Sequence, residues 1–181
     1  MAEGQVTREL PLDGRFAGGA SVSVRPAGAA RRVSLRVPAE SVAAVSNSLG
    51  VELPTRPGAS AQAGARAVLW LGPDEWLVIE EGERYPMADL EGAGVLFAAV
   101  DVSHRNTAIL VTGPAAADVL NAGCPRDLSL ETFPVSACSR TVLGKIEIVL
   151  WRMADDAFRV ECWRSFSDYA FDFLKDATRG Q

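Results

Sequence analysis

Residues 100–114 carry the pattern that decides the fold, and they read Val100-Asp101-Val102-Ser103-His104-Arg105-Asn106-Thr107-Ala108-Ile109-Leu110-Val111-Thr112-Gly113-Pro114. The polar break Ser103-His104-Arg105 separates two apolar runs, which predicts a strand on each side of a tight connection. Gly113-Pro114 ends the second run, and proline is favoured at the first position of a helix. His104 is the only histidine of the 181 residues. This stretch therefore predicts strand, polar turn, strand and helix in succession.

The chain before this stretch predicts a similar set of elements from its periodicity and its turn residues. They are a strand at residues 31–37, a helix through Val42, Val45 and Leu49 that Gly50 ends, strands at 67–71 and 76–80 joined by the turn Gly72-Pro73-Asp74-Glu75, and a short helix at 86–90. The chain after the helix that Gly123 closes predicts strands at 139–143, 145–151 and 157–162. A final helix follows, with Ser165 and Asp168 as its capping box.

The two halves repeat one order of elements. Leu69-Trp70 recurs as Leu150-Trp151, 81 residues later, and each hairpin has a carboxylate-bearing turn. A duplicated strand–helix–hairpin–helix unit accounts for this order. We therefore expect an α+β fold of two repeated subdomains, residues 29–100 and 101–181, packed as one compact unit. Residues 1–28 are rich in Gly, Ala and Ser. They predict a loose N-terminal arm that a partner orders, with a strand at residues 20–25 as the alternative.

Composition excludes several functions. The net charge is −5 and the pI is about 5.0, whereas nucleic-acid binding needs a basic face. The local cluster Arg31-Arg32 is not a basic run. The longest apolar stretch, residues 95–100, is too short to span a membrane, and the start has no signal core. Three cysteines without paired spacing predict reduced, buried thiols and a cytoplasmic protein. We therefore expect no nucleic-acid partner and no membrane partner.

Signatures of an independent enzyme are missing from the sequence. Gly92-Ala93-Gly94 precedes a strand, the wrong order for a dinucleotide-binding loop, and one histidine with three scattered cysteines makes a poor metal site. His104 has two interpretations, a proton carrier or interface donor beside Asp101 and Arg105, or a residue that ties the turn to neighbouring backbone. The structural interpretation is favoured, because most lone polar loop residues are not catalytic. Trp163-Arg164, just before the last helix, is typical of an interface anchor.

The chain resembles the gamma subunit family of heterotetrameric sarcosine oxidase from about residue 30 to residue 177. The segments that carry the resemblance are Gly72-Pro73-Asp74-Glu75-Trp76-Leu77, Asp101-Val102-Ser103-His104-Arg105, Thr112-Gly113-Pro114, Cys124-Pro125-Arg126-Asp127-Leu128, Phe133-Pro134, Ser139-Arg140-Thr141 and Arg164-Ser165-Phe166. The same segments are similar to the folate-binding aminomethyltransferases of glycine cleavage. In those enzymes an Asp-Asp pair serves folate chemistry, and here Ile146-Glu147 stands on the matching strand.

The resemblance implies a structural subunit without catalytic, cofactor-binding or metal residues of its own. Its partners are the alpha, beta and delta subunits, which carry FAD, FMN, NAD, tetrahydrofolate and zinc. The complex oxidises sarcosine to glycine with peroxide and passes the methyl carbon to tetrahydrofolate. We expect His104, Arg105, Trp163 and Arg164 at a partner interface, and Asp101 and Glu147 as residual carboxylates. Alternatives are a stand-alone folate-dependent one-carbon transferase using Glu147 or Asp101, and a folate-binding module.

Overall fold

The computed structural model describes residues 10–180. The strands in this range are β1 (Ala17–Gly18), β2 (Ser23–Pro26), β3 (Arg31–Arg36), β4 (Ser60–Ala63), β5 (Arg66–Gly72), β6 (Glu75–Glu80), β7 (Ala98–Asp101), β8 (Asn106–Thr112), β9 (Cys138–Leu143), β10 (Ile146–Ala154) and β11 (Ala157–Trp163). The α-helices are α1 (Val42–Leu49), α2 (Pro86–Glu91), α3 (Ala116–Asn121) and α4 (Ser167–Ala177).

The first antiparallel sheet has the strand order β4-β5-β6-β3-β7. Side chains alternate between its faces, so Val33 and Leu35 of β3 reach the same side as Val68 and Trp76. α1 and α2 cover that side through Val45, Leu49 and Leu90. The α1 helix ends at Gly50, whose φ of 67° favours glycine.

The second antiparallel sheet has the order β1-β2-β8-β11-β10-β9. α3 and α4 cover one of its faces, where Ile109, Val111 and Phe158 meet Phe171 and Leu174. The opposite face carries Trp151, which joins Leu69, Leu77 and Ile79 of the first sheet in a third apolar cluster. The architecture is therefore two helix-covered antiparallel sheets packed on each other, and the predicted α+β class is confirmed. Within residues 10–180 no helix has the length and apolarity needed to cross a membrane.

The predicted loose arm is wrong for residues 10–28. β2 forms there, pairs with β8, and buries Val22 and Val24 in the core of the second sheet. Arg15 lies over the Phe171 ring and forms ion pairs with Asp168 and Asp172 on α4. The chain's own sheet and helix therefore order this segment, and β2 lies close to the alternative strand at residues 20–25. Residues 1–9 of the predicted arm lie outside the described residues.

The predicted capping box of the last helix is also wrong. A short 3-10 turn (Arg164–Phe166) precedes α4, which begins at Ser167 without a side-chain cap. Ser167 Oγ instead donates a hydrogen bond to the Arg164 carbonyl at 2.8 Å. β11 continues to Trp163, so the chain needs this turn to change direction, and Ser165 lies exposed in it.

Candidate functional site

The polar break in the opening stretch folds as a tight turn between β7 and β8. The amides of Arg105 and Asn106 both donate to the Val102 carbonyl at 3.0 Å. The Ser103 amide donates to Asp101 Oδ1 at 2.8 Å, and Ser103 Oγ accepts from the Arg32 amide at 2.9 Å. Asp101 and Ser103 therefore hold the turn, which leaves His104 and Arg105 exposed at its tip.

The electrostatics of Asp101 suit this structural role. Partial burial alone would raise the pKa of Asp101, but hydrogen bonds from Ser103 and Tyr85 and the nearby His104 outweigh burial and hold the pKa below its usual value. The carboxylate therefore stays ionised at neutral pH. A general acid needs a pKa near the working pH instead.

Arg105, Trp163 and Arg164 come together where β8 begins and β11 ends. The Arg164 amide donates to the Arg105 carbonyl at 2.7 Å, and the Arg105 guanidinium lies 5.6 Å from the Trp163 ring centroid. Trp163 stacks on Phe166 at 5.8 Å with an interplanar angle of 14°, yet 44% of Trp163 is exposed. We call His104, Arg105, Trp163, Arg164 and Phe166 the aromatic–cationic patch. Phe166 is the member that sequence reasoning missed, and its spacing of three from Trp163 is the signal that could have found it.

A narrow polar cleft between the two sheets adjoins this patch, with Glu147, Arg105 and Trp163 in its lining. Glu75 and Arg140 form an ion pair there at 2.6 Å. The cleft encloses about 50 Å³, whereas small-molecule sites usually enclose roughly 300–1,000 Å³. It therefore has no room for a pterin-sized ligand.

The two carboxylate candidates do not form a pair. Glu147 is exposed at the cleft, while its neighbour Ile146 points to the opposite face of β10 and is buried in the core of the second sheet. Asp101 is not among the described residues that line the cleft. A much larger cavity, about 820 Å³, lies elsewhere, between α1 and Trp76, and Glu52 is the one ionisable residue in its lining. No described cavity therefore combines ligand-sized volume with the candidate residues.

A buried charge network joins the two sheets, and sequence reasoning missed it. Arg32 Nε of β3 lies 2.6 Å from Glu161 Oε2 of β11, and Arg159 Nε lies 2.7 Å from Glu161 Oε1. Burial alone would lower the pKa of Arg159, but Glu161 and Glu81 outweigh it and raise the pKa. The sequence signal that could have identified this network is the presence of charged residues at inward-facing positions of otherwise apolar strands. In the sequence, Arg32 stands out only as a member of the local cluster Arg31-Arg32.

Thiol chemistry has no support in this chain. Burial raises the pKa of Cys138 to about 12 and that of Cys162 to about 12. At pH 8 the thiolate fraction of each is then on the order of 10⁻⁴. Within residues 10–180, no group of three or more His, Cys, Asp or Glu side chains is arranged to hold a metal ion.

We expect Cys138 and Cys162 to resist alkylation by iodoacetamide at pH 8 in the native chain, because both access and thiolate are lacking. Peptide mass spectrometry after a timed reaction measures this. Both residues should react fully once urea unfolds the chain. Rapid native labelling at either position would contradict the burial described here.

A family profile and several relatives match most of this chain. The profile of the sarcosine oxidase gamma subunit family matches residues 35–180. Sarcosine oxidase subunit gamma of Corynebacterium sp. (strain U-96) is 34% identical over 169 residues, 89% of this chain and 81% of that protein. The Arthrobacter sp. subunit gamma is 35% identical over 138 residues, 75% of this chain and 68% of that protein.

Solved structures extend the comparison. A chain of the heterotetrameric sarcosine oxidase from Corynebacterium sp. U-96, in complex with pyrrole 2-carboxylate, superposes with a TM-score of 0.85 at 31% identity, covering 93% of this chain and 90% of that chain. Glycine cleavage aminomethyltransferase T from Bartonella henselae has a TM-score of 0.60 at 13% identity, covering 86% of this chain and 45% of that one, and shares the fold alone. On the profile match and the identity across most of both chains, this chain belongs to the sarcosine oxidase gamma subunit family.

Proposed function

We propose that this chain is the non-catalytic structural subunit of a cytoplasmic, heterotetrameric sarcosine oxidase. The superposition over 93% of the chain at a TM-score of 0.85 carries the proposal. The three free cysteines, all buried, suit a reducing compartment. In this role the chain supplies a rigid surface, and the complex oxidises sarcosine to glycine with peroxide and passes the methyl carbon to tetrahydrofolate.

The cofactors of such a complex, FAD, FMN, NAD, tetrahydrofolate and zinc, belong in this proposal to the alpha, beta and delta subunits. The residues of this chain do not fit tetrahydrofolate, because the cleft beside Glu147 encloses about 50 Å³ and buried Ile146 offers no polar atom to it. A one-carbon transferase that works through Glu147 or Asp101 is therefore not favoured.

The aromatic–cationic patch is the proposed contact with the other subunits. Arg and Trp are the residue types that most often anchor interfaces. Arg105 makes its one side-chain hydrogen bond among the described residues to Asn106, and the Arg164 side chain makes none. Most other described arginines are held by carboxylates or carbonyl groups, as Arg36, Arg66 and Arg152 are. The side chains of Arg105 and Arg164, beside the exposed stack of Trp163 and Phe166, are therefore available to bind a partner.

Duplication of an α+β unit, with halves at residues 29–100 and 101–181, is part of the same proposal. The strand order β4-β5-β6-β3 of the first sheet corresponds to β9-β10-β11-β8 of the second, element by element in chain order. This correspondence supports the duplication, although the matching hairpin pairs Gly72–Glu75 and Ala154–Ala157 are 82 residues apart, one more than the 81 residues between Leu69-Trp70 and Leu150-Trp151. β7 lies beside β3 as β2 lies beside β8, so β2 and β7 are counterparts, and β1 is the described strand without a counterpart in the first sheet.

The patch can be tested with Arg105→Ala and Arg164→Ala chains co-expressed with the other subunits. We expect each variant to melt within ~2 °C of the wild type, because surface substitutions usually change stability by about 0.5 kcal/mol or less. We also expect each to co-purify at least about tenfold less of the flavin-containing subunit, a change that corresponds to about 1.4 kcal/mol.

Arg56→Ala provides the matched control, since Arg56 is exposed in a loop outside the patch. It should leave assembly unchanged. The interface proposal fails if the patch variants lower the melting temperature and retain the complex. Stoichiometric flavin absorbance in the isolated chain would contradict the structural role itself.

A further inference from the structure

β7 leaves one edge of the first sheet open. β3 pairs with it on one side, and it is the last strand of its sheet. Residues 95–100 form the longest apolar stretch of the chain, yet Leu96 is 76% exposed and Val100 is 61% exposed. Exposed apolar edges invite pairing with another strand, and proteins usually protect them. The packing of the described residues therefore does not explain why this apolar stretch is exposed.

The other three sheet edges are protected. β1 has only two residues, and β9 carries Ser139, Arg140 and Thr141. The start of β4 is covered by the second half of the chain, through the bridge from Ala59 to Ala137 and the Ser60 amide, which donates to the Ser136 carbonyl at 2.9 Å. Short length, charge and covering are the usual protective devices. β7 is also short, with four residues, but its one charged residue is Asp101 at its end, and Ala98-Ala99-Val100 has no charge and pairs with no described strand on its outer side.

The ladder between β3 and β7 determines which backbone groups face outward. The Val102 amide donates to the Arg32 carbonyl at 2.8 Å, and Ser34 lies opposite Val100 in the same register. In an antiparallel ladder, alternate residues bond to the same neighbour, so Val100 and Ala98 face β3. The N–H and C=O groups of Ala99 and Asp101 consequently point away from the sheet. Among residues 10–180 these groups have no backbone partner, and they have the spacing that a further strand requires.

We propose that β7 binds an extended apolar segment of another subunit, which adds to the first sheet as a sixth strand. The inference rests on the proposed subunit function and goes beyond it, because β7 contains none of the residues of the aromatic–cationic patch. Backbone hydrogen bonds at Ala99 and Asp101 provide affinity, and apolar side chains opposite Leu96 and Val100 provide selectivity. Asp101 is the one charged residue of β7, so charge complementarity calls for a basic residue beside it on the incoming segment.

Two substitutions test the edge without removing a bond to β3. Ala99→Pro deletes an outward N–H, and proline is tolerated on edge strands. Val100→Lys puts a charge on an exposed side chain, the device by which natural edges avoid pairing. We expect each variant to fold normally and to lower affinity for the remaining subunits at least about tenfold. Val135→Lys, at a loop valine that is 42% exposed, is the matched control and should assemble normally.

Hydrogen exchange of the wild-type chain provides a second measurement that reports the backbone directly. We expect the amides of Ala99 and Asp101 to exchange rapidly in the isolated chain and to be protected in the assembled complex. If the wild type assembles but these amides stay unprotected, or if both variants assemble normally, strand addition is wrong and the subunit function stands. If the wild type fails to assemble at all, the proposed function is wrong. A dimer of the isolated chain that Val100→Lys abolishes would identify a second copy as the occupant and overturn the inference.

Discussion

Replacing Glu161 with alanine is expected to lower the free energy of unfolding by about 3–5 kcal/mol, a large share of the stability of an ordinary domain. Glu161 is 1% exposed and accepts from Arg32 Nε at 2.6 Å and from Arg159 Nε at 2.7 Å. Removing the carboxylate leaves the buried Arg32 guanidinium without a carboxylate partner and leaves Arg159 with Glu81 alone, and burying an uncompensated charge is costly. Urea unfolding monitored by circular dichroism measures the loss.

Asp168→Ala is the control for this prediction. Asp168 also pairs with an arginine, Arg15, but its side chain is 84% exposed. Exposed pairs contribute about 0–1 kcal/mol, so this variant should unfold almost as the wild type does. A loss near 1 kcal/mol for Glu161→Ala would contradict the role of Glu161 as the buried carboxylate that neutralises Arg32 and Arg159. It would indicate that water reaches Arg32 and Arg159 once the carboxylate is gone.

Trp163→Ala is expected to weaken assembly with the other subunits by roughly 30- to 1,000-fold, the range that 2–4 kcal/mol at an interface hot spot produces. The indole contacts the Arg105 guanidinium and stacks on the Phe166 ring, so its conformation is ordered before a partner binds. An ordered aromatic side chain loses little conformational entropy on binding. Titration of the other subunits with labelled chain, alongside thermal melting of the chain alone, measures the two effects separately.

Phe16→Ala is the matched control, since Phe16 is an aromatic residue outside the patch that is 64% exposed. It should assemble as the wild type does. The interface proposal is wrong if Trp163→Ala and Phe16→Ala bind equally well. An unfolded Trp163→Ala chain would show that Trp163 supports the fold, in which case Arg105→Ala and Arg164→Ala decide the question.

Local pattern predicted most of the fold. The strands at residues 31–37, 67–71, 76–80 and 157–162 are confirmed as β3, β5, β6 and β11, and the helix that Gly50 ends is confirmed as α1. Alternation, helical spacing and turn glycines act over a few residues, so they can be recognised without knowledge of contacts. The prediction of a loose arm was wrong for residues 10–28 because Val22 and Val24 are buried by packing on the sheet that contains β8, more than 80 positions away in the chain.

The candidate site likewise has some features that the local sequence determines and others that only the tertiary structure decides. From residue types alone, the sequence determined the turn at Ser103-His104-Arg105, the exposed pair Trp163-Arg164 and the missing signatures of an enzyme. Only the tertiary structure decided that Asn106 lies opposite Trp163, which brings Arg105 onto the indole, and that Arg32 reaches Glu161 across two sheets. It also decided that Ile146 and Glu147 face opposite sides of β10 and that β7 is an open edge. The reason is physical: strand propensity and turn chemistry are local, whereas strand register and sheet packing depend on residues brought together only when the chain folds.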